Sequence, residues 1–151
     1  MKSARTKRKI LLIDDNNDDC LLFERALNYA ETENSVSMIA TRNVTEAHNE
    51  INSDSRLPDV IFIDYNLRDL DDPLACLHFI VEMKSNDWTN WIPIVVFTDQ
   101  LNPDDTIIEV MRGGASSFVS KNSDSREVFY IDIISAVNYW VDFNLTPHNG
   151  L

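Results

Sequence analysis

Short apolar runs alternate with helical patterns along the whole chain. Continuous apolar runs at residues 10–13, 60–63 and 92–97 are typical of strands covered on both faces, and weaker strands are predicted at 36–40 and from Phe118. Strands alternating with helices favour a parallel sheet with right-handed crossovers. The order βαβαβαβαβα therefore predicts a single-domain α/β fold, a flavodoxin-like doubly wound five-stranded parallel sheet of strand order 2-1-3-4-5.

The predicted helices have recognisable ends and apolar faces. Asp18 and Asp19 occupy the first turn of the first helix, where the helix dipole favours acids. A second helix covers residues 44–52, Pro73 suits the first turn of the third, and Gly113–Gly114 ends the fourth. The residues predicted to face the core are Leu22, Phe23, Ala26, Leu27 and Ala30 in the first helix, Leu74, Leu77, Ile80, Val81 and Met83 in the third, Ile107, Ile108, Val110 and Met111 in the fourth, and Val128, Ile131, Ile134, Val137 and Val141 in the last.

The length of 151 residues is that of one domain, predicted over residues 9–144 between a basic arm (1–8) and a tail (145–151). No apolar run approaches the roughly 20 residues of a membrane helix, and the run at 10–13 is too short for a signal peptide. We therefore expect a cytoplasmic protein that does not contact a membrane. Cys20 and Cys76 have no CxxC partner, which argues against a disulfide or zinc framework and favours buried thiols.

The charge is unevenly distributed. The formal net charge is −12, and five of the thirteen basic residues lie in the first nine positions, where there is no acid. The rest of the chain has eight basic and 25 acidic residues. Such a body repels a phosphate backbone, so direct nucleic-acid binding is not expected.

Polar residues follow four of the predicted strands. Asp14 and Asp15 follow the first strand, Asp64 the third, Thr98 the fourth and Lys121 the fifth. In the predicted strand order these four strands are neighbours. Ligands of such sheets bind at the carboxyl ends of the strands, so we expect these side chains to converge.

The convergent set has a specific chemistry. Three carboxylates raise one another's pKa unless a cation neutralises them, and Mg²⁺ prefers oxygen ligands. A carboxylate can also act as a nucleophile and form an aspartyl-phosphate, with Lys121 and the Thr98 hydroxyl placed for the phosphoryl oxygens. The chain has no Walker loop and no GxGxxG after a strand, so a nucleotide is not the expected phosphoryl donor.

At this point the sequence resembles the receiver domain of two-component response regulators. The resemblance lies in the ordered segments ILLIDDN (10–16), PDVIFIDYNL (58–67), PIVVFT (93–98) and GASSFVSK (114–121), the last with an aromatic residue three positions before the lysine. It covers about residues 9–144, and the layout is also similar to single-domain regulators paired with phytochrome-type kinases.

The resemblance implies roles for the convergent residues. Asp64 accepts a phosphoryl group from the phosphohistidine of a sensor histidine kinase. Asp15 and Asp64 bind Mg²⁺ directly with the backbone carbonyl of Asn66, and Asp14 contributes through water. Lys121 pairs with the phosphoryl group. The protein is then a phosphorelay binding module and not an enzyme.

A switch is implied as well. Thr98 moves toward the phosphoryl group, Phe118 turns inward, and the surface of the fourth helix, fifth strand and fifth helix changes. A homodimer is expected through this surface or through the C-terminal region. The aromatic residues available for it are Phe129, Tyr130, Trp140 and Phe143, for which core packing and a C-terminal arm are the alternatives.

Four positions depart from the family pattern: Arg68, Asp72, Asp99 and Asn122. Asn122 stands where a proline usually follows the lysine, and a cis bond to a non-proline residue costs about 3–4 kcal/mol, which predicts a trans Lys121–Asn122 bond. Asp99 either points toward the phosphoryl site, where its charge weakens phosphoryl retention, or points to solvent and caps the fourth helix.

Two other functions remain open at this point. The departures allow a degenerate receiver that acts as a scaffold or docking module without phosphate turnover. A magnesium-dependent phosphatase on a similar sheet would normally show a second acid two residues after the nucleophile, and that position is Asn66.

Overall fold

Five parallel strands form one sheet in the order β2-β1-β3-β4-β5, which confirms the predicted fold. The computed structural model describes residues 7–30, 32, 35–53, 56–67, 72–99, 103–121 and 125–143. The strands are β1 (Lys7–Ile13), β2 (Ser35–Thr41), β3 (Val60–Asp64), β4 (Ile94–Thr98) and β5 (Ser117–Ser120). The helices are α1 (Asn17–Tyr29), α2 (Val44–Ile51), α3 (Ala75–Ser85), α4 (Pro103–Gly113) and α5 (Arg126–Asn138), and a π-helical turn (Tyr139–Phe143) continues α5.

The core lies on both faces of the sheet, which explains the continuous apolar runs. Alternate strand residues point to opposite faces. One face packs against α2 and α3, with Val110 of α4. The other packs against α1 and α5. There the Phe97 ring lies 5.9 Å from Phe23, 5.6 Å from Phe62 and 5.5 Å from Phe129 between centroids.

The predicted apolar face of α5 is wrong in part. Val128 and Ile131 are exposed at 41% and 52%, whereas Phe129 and Ile133 are buried. The helix is apolar around much of its circumference, so the spacing of apolar residues does not determine which face is buried. In the structure Phe129 packs beside Phe97 of the sheet, and this contact determines the buried face.

The third and fourth helices show the same type of error. Leu74 and Val81 of the predicted α3 face are exposed, and the helix buries Cys76 and Phe79 in their place. In α4, Ile108 and Met111 are exposed and Val110 is buried. Helices that cover one face of a sheet bury only a narrow stripe, and the sequence is apolar beyond it.

Phe129 is therefore a core residue, which agrees with the core-packing alternative, and it is not available to a homodimer. Tyr130 and Trp140 are partly buried against the same cluster. The side chain of Phe143, the first six residues, residues 144–151, Arg68 and Asn122 lie outside the described part of the chain. The predictions that depend on them, including the trans Lys121–Asn122 bond, stay predictions. Within the described ranges, no helix combines the length and apolar character needed to cross a membrane.

A glycine sets the chain direction between α4 and β5. Gly114 has φ of 116°, a left-handed conformation that L side chains rarely adopt, and a Cβ built on it would lie 2.6 Å from Lys84 Cγ. The turn is closed by the Ala115 N–H, which donates to the Val110 carbonyl at 2.9 Å. It delivers β5, and with it Lys121, to the edge of the sheet.

We expect Gly114→Ala to lower the free energy of unfolding by about 1–2 kcal/mol, because both the left-handed backbone and the Lys84 contact oppose a Cβ. Gly113→Ala is the matched control, since Gly113 lies in the helix and its built Cβ is 3.1 Å from Leu77 Cδ1. Urea denaturation measures both variants. Equal effects at the two positions would contradict a special role for Gly114.

Candidate functional site

The ends of four neighbouring strands bring the predicted polar residues together. Asp14 follows β1, Asp64 and Thr98 end β3 and β4, and Lys121 follows β5. Backbone hydrogen bonds hold the chain beyond the strand ends: the Lys121 N–H donates to the Thr98 carbonyl at 2.8 Å, and the Asp14 N–H donates to the Thr41 carbonyl at 3.0 Å. The polar side chains are therefore carried by the sheet.

The Lys121 ammonium is the centre of the site. Its Nζ lies 2.7 Å from Asp19 Oδ2, 3.1 Å from Asp14 Oδ2 and 3.3 Å from Asp64 Oδ2. Burial alone would lower the pKa of Lys121, but the surrounding carboxylates raise it above its ordinary value. Lys121 is therefore a permanent cation in contact with Asp64.

Asp64 is a buried carboxylate with a raised pKa. It is 3% exposed, and its Oδ1 accepts a hydrogen bond from the Asn66 N–H at 3.1 Å. Burial raises the pKa of Asp64 to about 6, against the attraction of Lys121, and the Asp14 carboxylate adds to the rise. At neutral pH Asp64 is mostly ionised, as a nucleophile must be.

Asp14, Asp15 and Asp64 form a group suited to a metal ion. One carboxylate oxygen of each lies within 4.8 Å of those of the other two. Asp14 is buried, and its Oδ1 accepts from the Asn16 N–H at 2.9 Å. Burial raises the pKa of Asp14 although Lys121 opposes the rise. An all-oxygen set with this repulsion fits a hard divalent cation.

A cavity of about 340 Å³ opens beside this group. Asp99 lies at its edge, and its Oδ1 accepts a hydrogen bond from Asn66 Nδ2. Asp99 is therefore exposed to solvent and at the same time faces the site. The described residues that line the cavity are Asp15, Asn16, Asp19, Asp64, Asn66, Asp99 and Lys121.

Asp72 has a structural role instead. Its Oδ1 accepts from the Leu74 N–H at 3.0 Å, in an Asx-type turn that precedes α3. Its Oδ2 lies 2.7 Å from His78 Nδ1. This interaction lowers the pKa of Asp72.

Three predicted residues, Asp14, Thr98 and Phe118, are not among the described residues that line the cavity. Thr98 is buried at the end of β4 and is not among the described residues that line the cavity. Phe118 is 41% exposed and borders a separate groove with Tyr139 and Trp140. The site thus brings together Asp14, Asp15, Asp64, Asn66 and Lys121, and Asp14 joins it through its contact with Lys121. The two predicted switch residues lie at the end of β4 (Thr98) and within β5 (Phe118).

Asp19 and Arg126 are two site residues that the sequence analysis did not identify. Asp19 is buried, and its two oxygens bind Lys121 Nζ and Arg126 Nη1, each at 2.7 Å. Burial acts in the opposite direction, but the hydrogen bonds from Lys121 and Arg126 lower the pKa of Asp19. A usable signal was the closeness in sequence, because Asp19 lies in the first turn of α1, directly after the acidic pair that follows β1.

Comparisons with known proteins identify the family and agree with the fold. A family model described as the response regulator receiver domain matches residues 10–131. A search of curated proteins gave no significant match.

Several solved structures share the fold. The phosphorylated cyanobacterial phytochrome response regulator RcpA superposes with a TM-score of 0.79 and 22% identity, covering 94% of this chain and 99% of that one. The Mn²⁺-bound response regulator Rcp1 superposes with a TM-score of 0.79 and 22% identity, covering 93% of this chain and 99% of that one. A response regulator from Hahella chejuensis superposes with a TM-score of 0.75 and 27% identity, covering 91% of this chain and 98% of that one. With the family match over most of its length, this chain belongs to the response regulator receiver domain family.

Proposed function

We propose that this receiver domain accepts a phosphoryl group on Asp64 from the phosphohistidine of a sensor histidine kinase, with Mg²⁺ bound at the carboxylate group. The observation that carries the proposal is the 3.3 Å contact between Lys121 Nζ and Asp64 Oδ2, beside three carboxylates within 4.8 Å of one another. A nucleophile, a fixed cation and a metal-binding group then share one cavity.

The transfer is a displacement at phosphorus. A carboxylate oxygen of Asp64 forms the new P–O bond, the P–N bond to the donor imidazole breaks, and its electron pair returns to the imidazole nitrogen. Lys121 pairs with one phosphoryl oxygen, and the Thr98 hydroxyl is the donor for another. Asp15, Asp64 and the Asn66 carbonyl would hold Mg²⁺, which neutralises charge on the phosphoryl oxygens.

The output is a change of the α4-β5-α5 surface. Movement of Thr98 toward the phosphoryl group lets Phe118, which is 41% exposed, turn inward, and the local charge thereby biases a two-state packing element. This surface exposes Ile108, Met111 and Ile131, which suits a downstream partner or a second copy of the chain. We further propose a cytoplasmic binding module that turns over no outside substrate.

The kinase is proposed to be of the phytochrome type. The support is the shared fold with RcpA, whose structure is described as that of a phytochrome response regulator. The test compares the rate of phosphotransfer to this chain from a purified phytochrome-type kinase with the rate from an unrelated kinase. Faster transfer from an unrelated kinase would contradict this part of the proposal.

Incubation with acetyl phosphate and Mg²⁺ tests the phosphorylation. We expect an acid-stable, base-labile adduct that is lost in Asp64→Asn and on removal of Mg²⁺. No adduct on the wild type would favour the scaffold alternative. Steady hydrolysis of a small phosphate ester would favour an enzyme.

Asp99→Ala is expected to lengthen the lifetime of phosphorylated Asp64 by about two- to fivefold, because a carboxylate at the edge of the cavity repels the phosphoryl oxygens. Loss of labelled phosphate from the purified phosphoprotein measures this lifetime. Asp105→Ala removes an exposed acid of α4 and is the control. An unchanged or shorter lifetime in Asp99→Ala would count against the prediction.

A further inference from the structure

Lys121 makes its shortest ionic contact with a residue that the phosphorylation chemistry does not use. Asp19 lies 2.7 Å from its Nζ, whereas Asp64 lies 3.3 Å away. An ammonium has three N–H donors, and here three carboxylates surround it. A phosphoryl oxygen on Asp64 must take a larger share of this cation at the expense of another partner.

Asp14 is less able than Asp19 to release the lysine. Asp14 Oδ2 keeps its contact with Lys121 inside the sheet edge, where the residue is 2% exposed and has no second cation among the described ion pairs. Asp19 has one, because Arg126 Nη1 lies 2.7 Å from its Oδ1. The competition for Lys121 is therefore between Asp64 and Asp19.

Arg126 is at an electrostatically unfavourable position. It is the first residue of α5, and the positive end of a helix dipole disfavours a cation. Its guanidinium is held by Asp19 and lies 5.5 Å from the centroid of the Phe129 ring. The pairing with Asp19 compensates for this position, and it also divides the charge of Asp19 between two cations.

We propose that Asp19 is a positioning residue that competes with phosphorylated Asp64 for the Lys121 ammonium, and that Arg126 limits this competition by sharing Asp19. The inference rests on the proposed phosphorylation of Asp64. It assigns opposite effects to the two members of one ion pair. Removing the Asp19 charge makes Lys121 more available, whereas removing Arg126 leaves Asp19 to bind Lys121 more strongly.

The test measures the rate constant of phosphorylation by phosphoramidate at saturating Mg²⁺. We expect Asp19→Asn to raise it by about three- to tenfold and Arg126→Gln to lower it by a similar factor. The double variant should match Asp19→Asn, because Arg126 acts through Asp19. Arg126→Lys keeps the charge and should stay near the wild-type rate.

A merely structural ion pair would give another pattern, since losing either partner would change the rate in the same direction along with the stability measured in urea. Asp18→Asn is the matched control, because it removes the same charge from an exposed position in the same turn. If it raises the rate as much as Asp19→Asn, bulk charge is the cause and the inference is overturned. A full Arg126→Gln effect in the D19N background would also overturn it.

If Asp19→Asn does not fold, Arg126→Gln and Arg126→Lys still decide the question. Equal rates in these two variants would overturn the inference. An adduct on wild-type Asp64 with unchanged rates in the variants defeats the inference alone. The absence of any adduct on the wild type defeats the proposed function with it.

Discussion

We expect Lys121→Ala to lower the rate of Asp64 phosphorylation by about two orders of magnitude. Lys121 is the one fixed cation that the described residues place against Asp64, at 3.3 Å, and removing a preorganised charge from the reacting group costs about 10²–10³ in rate. Mg²⁺ affinity should rise in the same variant, since the ammonium no longer competes for the carboxylates of Asp14 and Asp64. Phosphorylation by acetyl phosphate and calorimetric Mg²⁺ titration measure the two effects.

Lys9→Ala is the matched control for loss of a buried lysine. Lys9 is 8% exposed, and its Nζ lies 2.9 Å from Glu50 Oε1 near the start of β1, at the other end of the sheet. Both variants should lose stability, because each leaves a carboxylate without its cation. Only Lys121→Ala should change the phosphorylation rate and the Mg²⁺ affinity. A similar loss of rate in Lys9→Ala would mean that Lys121→Ala slows phosphorylation only by destabilising the fold.

The strands and their order could be predicted because a parallel sheet covered on both faces requires continuous apolar runs, such as 10–13 and 60–63. Which residues of the outer helices are buried could not be predicted from the sequence. The last helix is apolar at both Val128 and Phe129, and only contact with Phe97 decides that Phe129 is the one buried. Periodicity fixes a helix more readily than it fixes the rotation of that helix about its axis.

The site was predictable as far as strand ends determine it. Asp14, Asp64 and Lys121 converge because strand order places them side by side. Asp19 was interpreted as a helix-dipole acid, which explains its place in the first turn but not its burial against Lys121. Its partner Arg126 comes from α5, and a contact between two helices that are distant in sequence has no signal in local spacing.

Asp64→Asn is expected to stabilise the metal-free protein at pH 7.5 by up to about 3 kcal/mol. The pKa of Asp64 is raised from 3.8 to about 6, and each unit corresponds to about 1.4 kcal/mol. For an acid with a raised folded pKa, the protonated form favours folding, so this stability is fully present below pH 3.8 and is lost as the pH rises through 6. The Asp64→Asn variant has no carboxyl to ionise, so it keeps this stability at pH 7.5. Its amide oxygen can still accept the hydrogen bond from the Asn66 N–H.

The difference in free energy of unfolding between Asp64→Asn and the wild type should therefore depend on pH and on Mg²⁺. Urea denaturation at pH 4.5 should give a difference of only about 1 kcal/mol, because the folded carboxyl is then largely protonated. Mg²⁺ at pH 7.5 should also narrow the gap, since it binds the wild-type carboxylates only in the folded state. Asp18→Asn removes an exposed acid outside the metal-binding group, so its difference from the wild type should not respond to Mg²⁺. A gap that stays constant from pH 4.5 to 7.5 would mean that burial of the ionised Asp64 carboxylate is not what destabilises the metal-free fold.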